Sequence, residues 1–171
     1  LKGINEFPAV APSDVIIDGM FGSGLSRPLE GLAAEVTRKI NTLPNRVVSV
    51  DIPSGLMGED NVSNNPDTII RADHTLTFQF PKISFLFAEN EIFTGKWEVL
   101  SIGLHPQGIE DTSSEIFFTE KEDVKKILKP RLKFAHKGHF GHALLIAGSY
   151  GKTGAAVLSS RACLRAGAGL L

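Results

Sequence analysis

The sequence predicts an α/β fold built on a parallel sheet. Three observations carry this: two short apolar runs of the kind found in buried parallel strands, a helical repeat between them, and a glycine-rich turn after the first run. Asp14-Val15-Ile16-Ile17-Asp18 is the first run, and the turn spans Gly19 to Pro28. From Leu29 to Asn41 the apolar residues Leu29, Leu32, Ala33, Val36 and Ile40 recur at helical spacing, while Glu30, Glu35, Arg38 and Lys39 occupy other faces. Pro44 and Asn45 end the helix, and Val47-Val48-Ser49-Val50-Asp51 is a second β-branched run. Strand, helix and strand within residues 14–51 have the length of a right-handed βαβ crossover.

Beyond a polar, Asn-rich loop at 58–67, three further strands are expected, over 68–70, 74–80 and 97–102. In the second of these Leu76, Phe78 and Phe80 alternate with Thr75, Thr77 and Gln79, as in a strand near a sheet edge with one face more exposed. Residues 103–113 have the Gly, Pro and polar content of a linker and place a domain boundary there, giving segments 1–108 and 109–171. A strand at 115–119 follows, then a helix at 120–128 with Val124, Ile127 and Leu128 inward, an irregular basic segment at 130–142, and a second α/β unit. That unit comprises strand 143–147, a turn at 148–153 and helix 154–166. Cys163, the single cysteine, excludes an internal disulfide framework and reads as a small buried residue on that helix.

A chain of 171 residues with 42% hydrophobic and 22% charged residues has the composition of a folded globular protein. Its formal net charge of -1 gives no basic footprint for nucleic acid, and its apolar runs are too short to span a membrane. A cytoplasmic protein acting on a small molecule is expected. Both ends look cut: the chain opens on Leu1 and closes on the apolar run 166–171.

Ligands of open parallel sheets bind beyond the carboxyl ends of the strands, where loops and helix N-termini converge. Asp18 and Asp51 close neighbouring strands and are expected to share that rim. A carboxylate there is desolvated and needs a partner, although each Asp alone could simply cap a turn. Gly22, Ser23, Gly24, Leu25, Ser26, Arg27 and Pro28 suit an anionic ligand through close backbone approach, hydroxyl donors and a guanidinium. In Asp51-Ile52-Pro53-Ser54-Gly55, Pro53 stiffens the strand exit, Gly55 allows a tight turn, and Ser54 returns a hydroxyl to the rim, a rigid setting for Asp51 as a general base. Asp18 and Ser54 offer hard oxygens, which favour an alkali or alkaline-earth cation over zinc. Gly151-Lys152-Thr153 resembles the end of a Walker A loop, but its first glycine would stand where Ile146 is. His136, His139 and His142 are separated by Gly138 and Gly141, which break any helix that could align them on a metal.

Several motifs together resemble the bifunctional NAD(P)H-hydrate repair enzymes, in which an epimerase domain is fused to an ADP- or ATP-dependent dehydratase domain. They are Asp18 to Leu25 with Arg27-Pro28, Val50 to Gly55, Arg71-Ala72-Asp73 with Thr75, Thr77 and Phe78, and Ile102-Gly103. In that resemblance residues 1–108 are the later part of a Rossmann-like, three-layer epimerase domain. His136-Lys137-Gly138, Gly141-His142, Ile146 to Ser149, Thr153 to Ala156 and Arg165 to Leu170 look like the start of a ribokinase-like dehydratase domain after a linker, within 109–171.

The resemblance implies that Asp18 and Ser54 bind potassium, that Gly22 through Pro28 hold the hydrated dinucleotide, and that Asp51 contacts the substrate as acid/base. Gly154 and Ala155 match a stretch near the dehydratase substrate. ADP or ATP, Mg2+ and a homo-oligomeric state are also implied. Interconverting the R and S hydrates requires the hydroxyl-bearing ring carbon to open or lose that group transiently, and dehydration of the S form returns NAD(P)H. The first half of the epimerase domain and the Gly-Asp segment of the dehydratase are absent from these residues, and Ser23 replaces the commoner Thr. These 171 residues alone are therefore expected to be a junction fragment of little or no activity. A ribokinase-like small-molecule kinase and a non-catalytic binding module with an epimerase-like fold are the alternatives.

Overall fold

The computed structural model describes residues 3–171. The chain forms two compact units, one through Ser113 and one from Ser114 to Leu171. In the first unit β1 (Val15–Asp18), β2 (Arg46–Val50), β3 (His74–Phe78) and β4 (Lys96–Leu100) form a four-stranded, all-parallel sheet in sequential order. Helix α1 (Gly31–Asn41) makes the β1–β2 crossover. It starts two residues later than the apolar repeat, because Glu30 is extended and makes no side-chain cap bond. A missing cap costs on the order of 1 kcal/mol, whereas each buried aliphatic side chain contributes roughly 1.5–3 kcal/mol, so packing holds α1 in place. Val36 and Ile40 pack with Val47, Ile70 and Ala72, and with Ile16 of β1.

Parallel register puts Asp18 and Ser49 side by side, and Ser49 beside Thr75. On this face Asp18, Ser49, Thr75 and Thr77 are fully buried. The alternation in β3 thus runs opposite to the sequence expectation: the threonines face inward, and Leu76 and Phe78 are only half-buried. Thr75 tolerates this because its hydroxyl donates to the Thr94 carbonyl at 2.8 Å. Nor is β3 an edge, since it lies between β2 and β4. Of the three expected layers the unit shows two. On the second face Val15 and Ile17 are exposed, and Val48, Val50 and Leu76 are only half-buried.

The strand expected at 68–70 does not form. Pro66–Thr68 is a 3-10 turn, and the backbone beyond it bonds elsewhere: Ile69 O accepts from the Asn41 amide, Arg71 N donates to that side chain, and Ile70 N donates to Ser54 O. Ile69 and Ile70 are still core residues, which is why their apolar run reads as a strand. Ile69 joins Ile52, Leu56, Phe85 and Phe93 in a second core cluster, against which Trp97 packs. A short helix, α2 (Glu91–Thr94), leads into β4, and α3 (Pro106–Glu110) lies within the expected linker.

In the second unit α4 (Lys121–Ile127) and α5 (Gly154–Ala166) match the expected helices. The strands at 115–119 and 143–147 are absent among the described residues, where a single bridge joins His142 to Leu170. A strand exists only with a neighbour to take its N–H and C=O groups, and the unit supplies no more than Leu170. Leu144 and Ile146 are exposed accordingly, as are Val124, Ile127 and Leu128, which were expected inward. The described residues of this unit thus show two helices and a bridge, without the strands of a ribokinase-like start. Cys163 is half-buried, not buried.

Replacing Ile40 with Ala removes a side chain held between α1 and the sheet. Urea unfolding is expected to show a loss of about 2–5 kcal/mol with an unchanged slope.

Candidate active site

Parallel pairing of β1 with β2 brings Asp18 and Ser54 together at the carboxyl rim of the sheet, and Asp51 leaves β2 at that same rim. The two carboxylates are treated differently. Asp18 is 1% exposed and closed in by donors. Its Oδ2 accepts from Ser49 Oγ and from Ser54 N, each at 2.8 Å, and its Oδ1 accepts from Ser54 Oγ at 2.5 Å and Met20 N at 3.4 Å. Ser54 Oγ in turn accepts from Phe21 N at 3.0 Å, so the turn after β1 is fastened to the turn after β2.

A carboxylate has about four lone-pair sites, and all four are engaged. Asp18 and Ser54 have the hard-oxygen chemistry of an alkali-cation site, and here their oxygens meet in the Asp18–Ser54 hydrogen bond. Among the described residues no group of three or more His, Cys, Asp or Glu could hold a metal ion. His136 and His139 stack with ring centroids 3.9 Å apart, and their Nδ1 atoms accept from the backbone N–H groups of Gly138 and His136.

Gly55 makes the turn geometry possible. Its φ is +97°, and a Cβ there would collide with the Thr68 carbonyl oxygen. Asp51 also has positive φ, +67°, a region that costs a non-glycine residue energy but that Asp and Asn visit more readily than others. Its backbone N–H still donates to Leu76 O, so the β2–β3 ladder ends on the residue whose side chain turns into the rim.

The Asp51 side chain is 15% exposed and has a partner that sequence reasoning missed. Lys82 Nζ lies 2.8 Å from Asp51 Oδ1, which also accepts from Phe78 N at 3.2 Å. The signal was present in Phe80-Pro81-Lys82, a proline-stiffened exit from β3, but a lysine in a loop carries no motif of its own. Burial is the largest single influence on Asp51 and raises its pKa. The Lys82 hydrogen bond, the Phe78 N–H, the lysine charge and the Ser23 N–H together outweigh it, so the carboxyl titrates below its ordinary value.

The other expected contacts divide. Gly22 lies against Asp51, since a Cβ on it would be 3.7 Å from Oδ2, and the Ser23 backbone reaches the same carboxylate. Gly24, Ser26 and Arg27 are exposed along the loop, and Leu25 and Pro28 are half-buried. Gly154 and Ala155 open α5 in the second unit and are exposed. The rim can therefore offer a ligand one carboxylate oxygen, a flexible glycine-rich backbone and a guanidinium.

Residues 2–84 match the family described as YjeF-related protein N-terminus. Over 91% of its length the chain is 39% identical to the bifunctional NAD(P)H-hydrate repair enzyme Nnr of Thermofilum pendens. It is 35% identical over 92% to that of Escherichia coli, and 32% identical over 98% to that of Dictyoglomus turgidum. The chain covers 29%, 30% and 32% of those relatives respectively, about a third of their length.

Two outcomes test the rim. Asp18→Ala leaves the Ser49 hydroxyl and both Ser54 donors without their acceptor, and chemical denaturation is expected to show a loss of roughly 2–4 kcal/mol. The folded-state pKa of Asp51 is depressed, so its contribution to stability is complete above the unfolded value of about 3.9 and is lost as pH falls through the lower folded value. Between pH 5 and pH 3 the unfolding free energy of Asp51→Asn should therefore fall less than that of the unsubstituted chain.

Proposed function

With residues 2–84 a YjeF-related N-terminal domain, in a chain related along nearly its whole length to bifunctional NAD(P)H-hydrate repair enzymes, we propose that the first unit is the epimerising part of such an enzyme and that Asp51 is its acid/base group. The observation that supports this most directly is the asymmetry of the Asp51 carboxylate. Oδ1 is held by Lys82 and Phe78, and Oδ2 lies beside Gly22 in the glycine-rich loop. An ionised, rigidly placed carboxylate whose ammonium partner takes only one of its two oxygens suits proton transfer to and from a bound ligand.

The substrate class is the hydrate of NADH or NADPH, which carries a hydroxyl on the ring carbon beside the ring nitrogen. Gly22 through Pro28 hold its anionic parts, with backbone N–H groups, the hydroxyls of Ser23 and Ser26, and the Arg27 guanidinium as donors. Asp51 Oδ2 takes the hydroxyl proton as the bond from that carbon to the ring nitrogen breaks. The nitrogen takes the electron pair, and the proton is handed on to it. Closure on the opposite face of the resulting carbonyl reverses these transfers and gives the other epimer, with no net change in protons or electrons.

In the full-length protein Asp51→Asn is expected to lower epimerisation of hydrated NADH by a factor of at least about 100 in a chain that stays folded, losing only the stability of the Lys82 pair, because Asn also tolerates positive φ. Chromatographic resolution of the R and S forms over time checks this, and undiminished turnover removes Asp51 from its role.

A further inference from the structure

Lys82 is held on both sides. Before it, Gln79 has φ +60° and Phe80 N donates to Phe78 O at 2.6 Å, a tight reversal that turns the chain back over the rim. After it, the 3-10 turn Ile83–Leu86 buries Phe85 in the second core cluster, and Ser84 N donates to Gly58 O. Its ammonium has three acceptors: Asp51 Oδ1 at 2.8 Å, Phe78 O at 3.4 Å and Phe80 O at 3.5 Å. The short bond is the one to Asp51, and the two carbonyls face the remaining hydrogens at longer range. Lys82 therefore acts through Asp51. Long lysine side chains at surfaces lose rotamer freedom when fixed, and this one, 17% exposed, is fixed on Asp51 at the exit of a strand.

Resting on the reading of Asp51 as the acid/base group, we propose that Lys82 is the positioning residue of that centre: by occupying Oδ1 it leaves Oδ2, the oxygen beside Gly22, as the one that exchanges a proton with the bound hydrate. Lys82 is the charged group whose field acts on Asp51, and the remaining polar neighbours of the carboxylate are the backbone N–H groups of Phe78 and Ser23. Without the ammonium, Oδ1 and Oδ2 become alternative proton sites, the carboxylate is held less firmly, and burial is opposed only by the Phe78 and Ser23 N–H groups.

The test uses the full-length enzyme with Lys82→Met and Lys82→Arg. Two readouts are taken: epimerisation kinetics across pH, and titration of the Asp51 carboxyl carbon by NMR without substrate. Lys82→Met is expected to lower kcat about ten- to hundred-fold with KM within a few-fold of the parent. It should also move the acid limb of kcat/KM and the NMR midpoint together to higher pH. Lys82→Arg, which keeps the charge, should restore most of kcat and the original midpoint.

An unmoved Asp51 midpoint in Lys82→Met overturns the proposal, as does a raised KM with unchanged kcat, which would make Lys82 a direct ligand contact. If Lys82→Met does not fold, Lys82→Gln is read in the same way, and failure of both to fold assigns Lys82 to the fold and overturns the proposal. A midpoint moved by Lys82→Met, in a protein whose unsubstituted form performs no epimerisation, would show the Lys82–Asp51 coupling while removing the function on which the proposal rests.

Discussion

The carboxyl rim of the sheet depends on one buried carboxylate. Asp18 ends β1 at 1% exposure and accepts from β2 through Ser49 and from the following turn through both donors of Ser54. Burying a carboxylate is unfavourable unless its oxygens are fully satisfied, and hydrogen bonds to a charged acceptor are about twice as strong as neutral ones. The same constraint that makes Asp18 tolerable therefore makes the turn at 52–55 rigid. That turn fixes where β2 releases Asp51, and its carbonyl at Ser54 receives Ile70 N, so the hub also anchors the crossover to β3.

Strain accumulates at the next level out. β2 and β3 are each followed directly by a non-glycine residue of positive φ, Asp51 and Gln79. Such residues persist only where the surroundings over-determine them. Around Asp51 the determinants are the ladder bond to Leu76 O and the Lys82 and Phe78 contacts. Around Gln79 they are the ladder bond to Leu100 O and a side-chain oxygen that accepts from Ile102 N. Each reversal thus turns the residue after a strand into a tether for its neighbour. The pair of them brings Lys82 back over the carboxylate that β2 delivers.

What could be read in the sequence follows the range of the interactions involved. The β1–α1–β2 crossover is local, and its 3.6-residue periodicity and β-branched runs decided it. The shared rim of Asp18, Asp51 and Ser54 followed from parallel pairing alone. The segment at 68–70 was misread because burial, not strand pairing, makes Ile69 and Ile70 apolar, while their backbone partners are a distant Asn41 side chain and Ser54. The threonine face of β3 defeated binary patterning because Thr75 satisfies its hydroxyl on a carbonyl of α2, nineteen residues away. In the second unit, residues 143–147 have the composition of a strand without a neighbour to pair with. Lys82 was invisible for a similar reason: its meaning lies in a contact thirty-one residues back in sequence.

The rim's chemistry rests on giving two similar residues opposite employment. Two aspartates at the ends of adjacent parallel strands would, if equally open to a ligand, compete for the same proton and repel one another. Asp18 has its acceptor sites taken by hydroxyl and backbone donors, which makes it part of the scaffold. Asp51 receives the reverse treatment: one oxygen committed to an ammonium and a backbone N–H, the other left at the glycine-rich loop, where Gly22 has no side chain to cover it. A side chain at Gly22 would stand in van der Waals contact with that oxygen, so the glycine serves access there, whereas Gly55 serves backbone geometry. The hydroxyl at Ser54 belongs with the scaffold, since its hydrogen goes to Asp18 and its lone pair to Phe21 N. Of the three rim groups that the sequence singles out, then, two are tied into the frame and the third, Asp51, keeps its Oδ2 beside the glycine-rich loop.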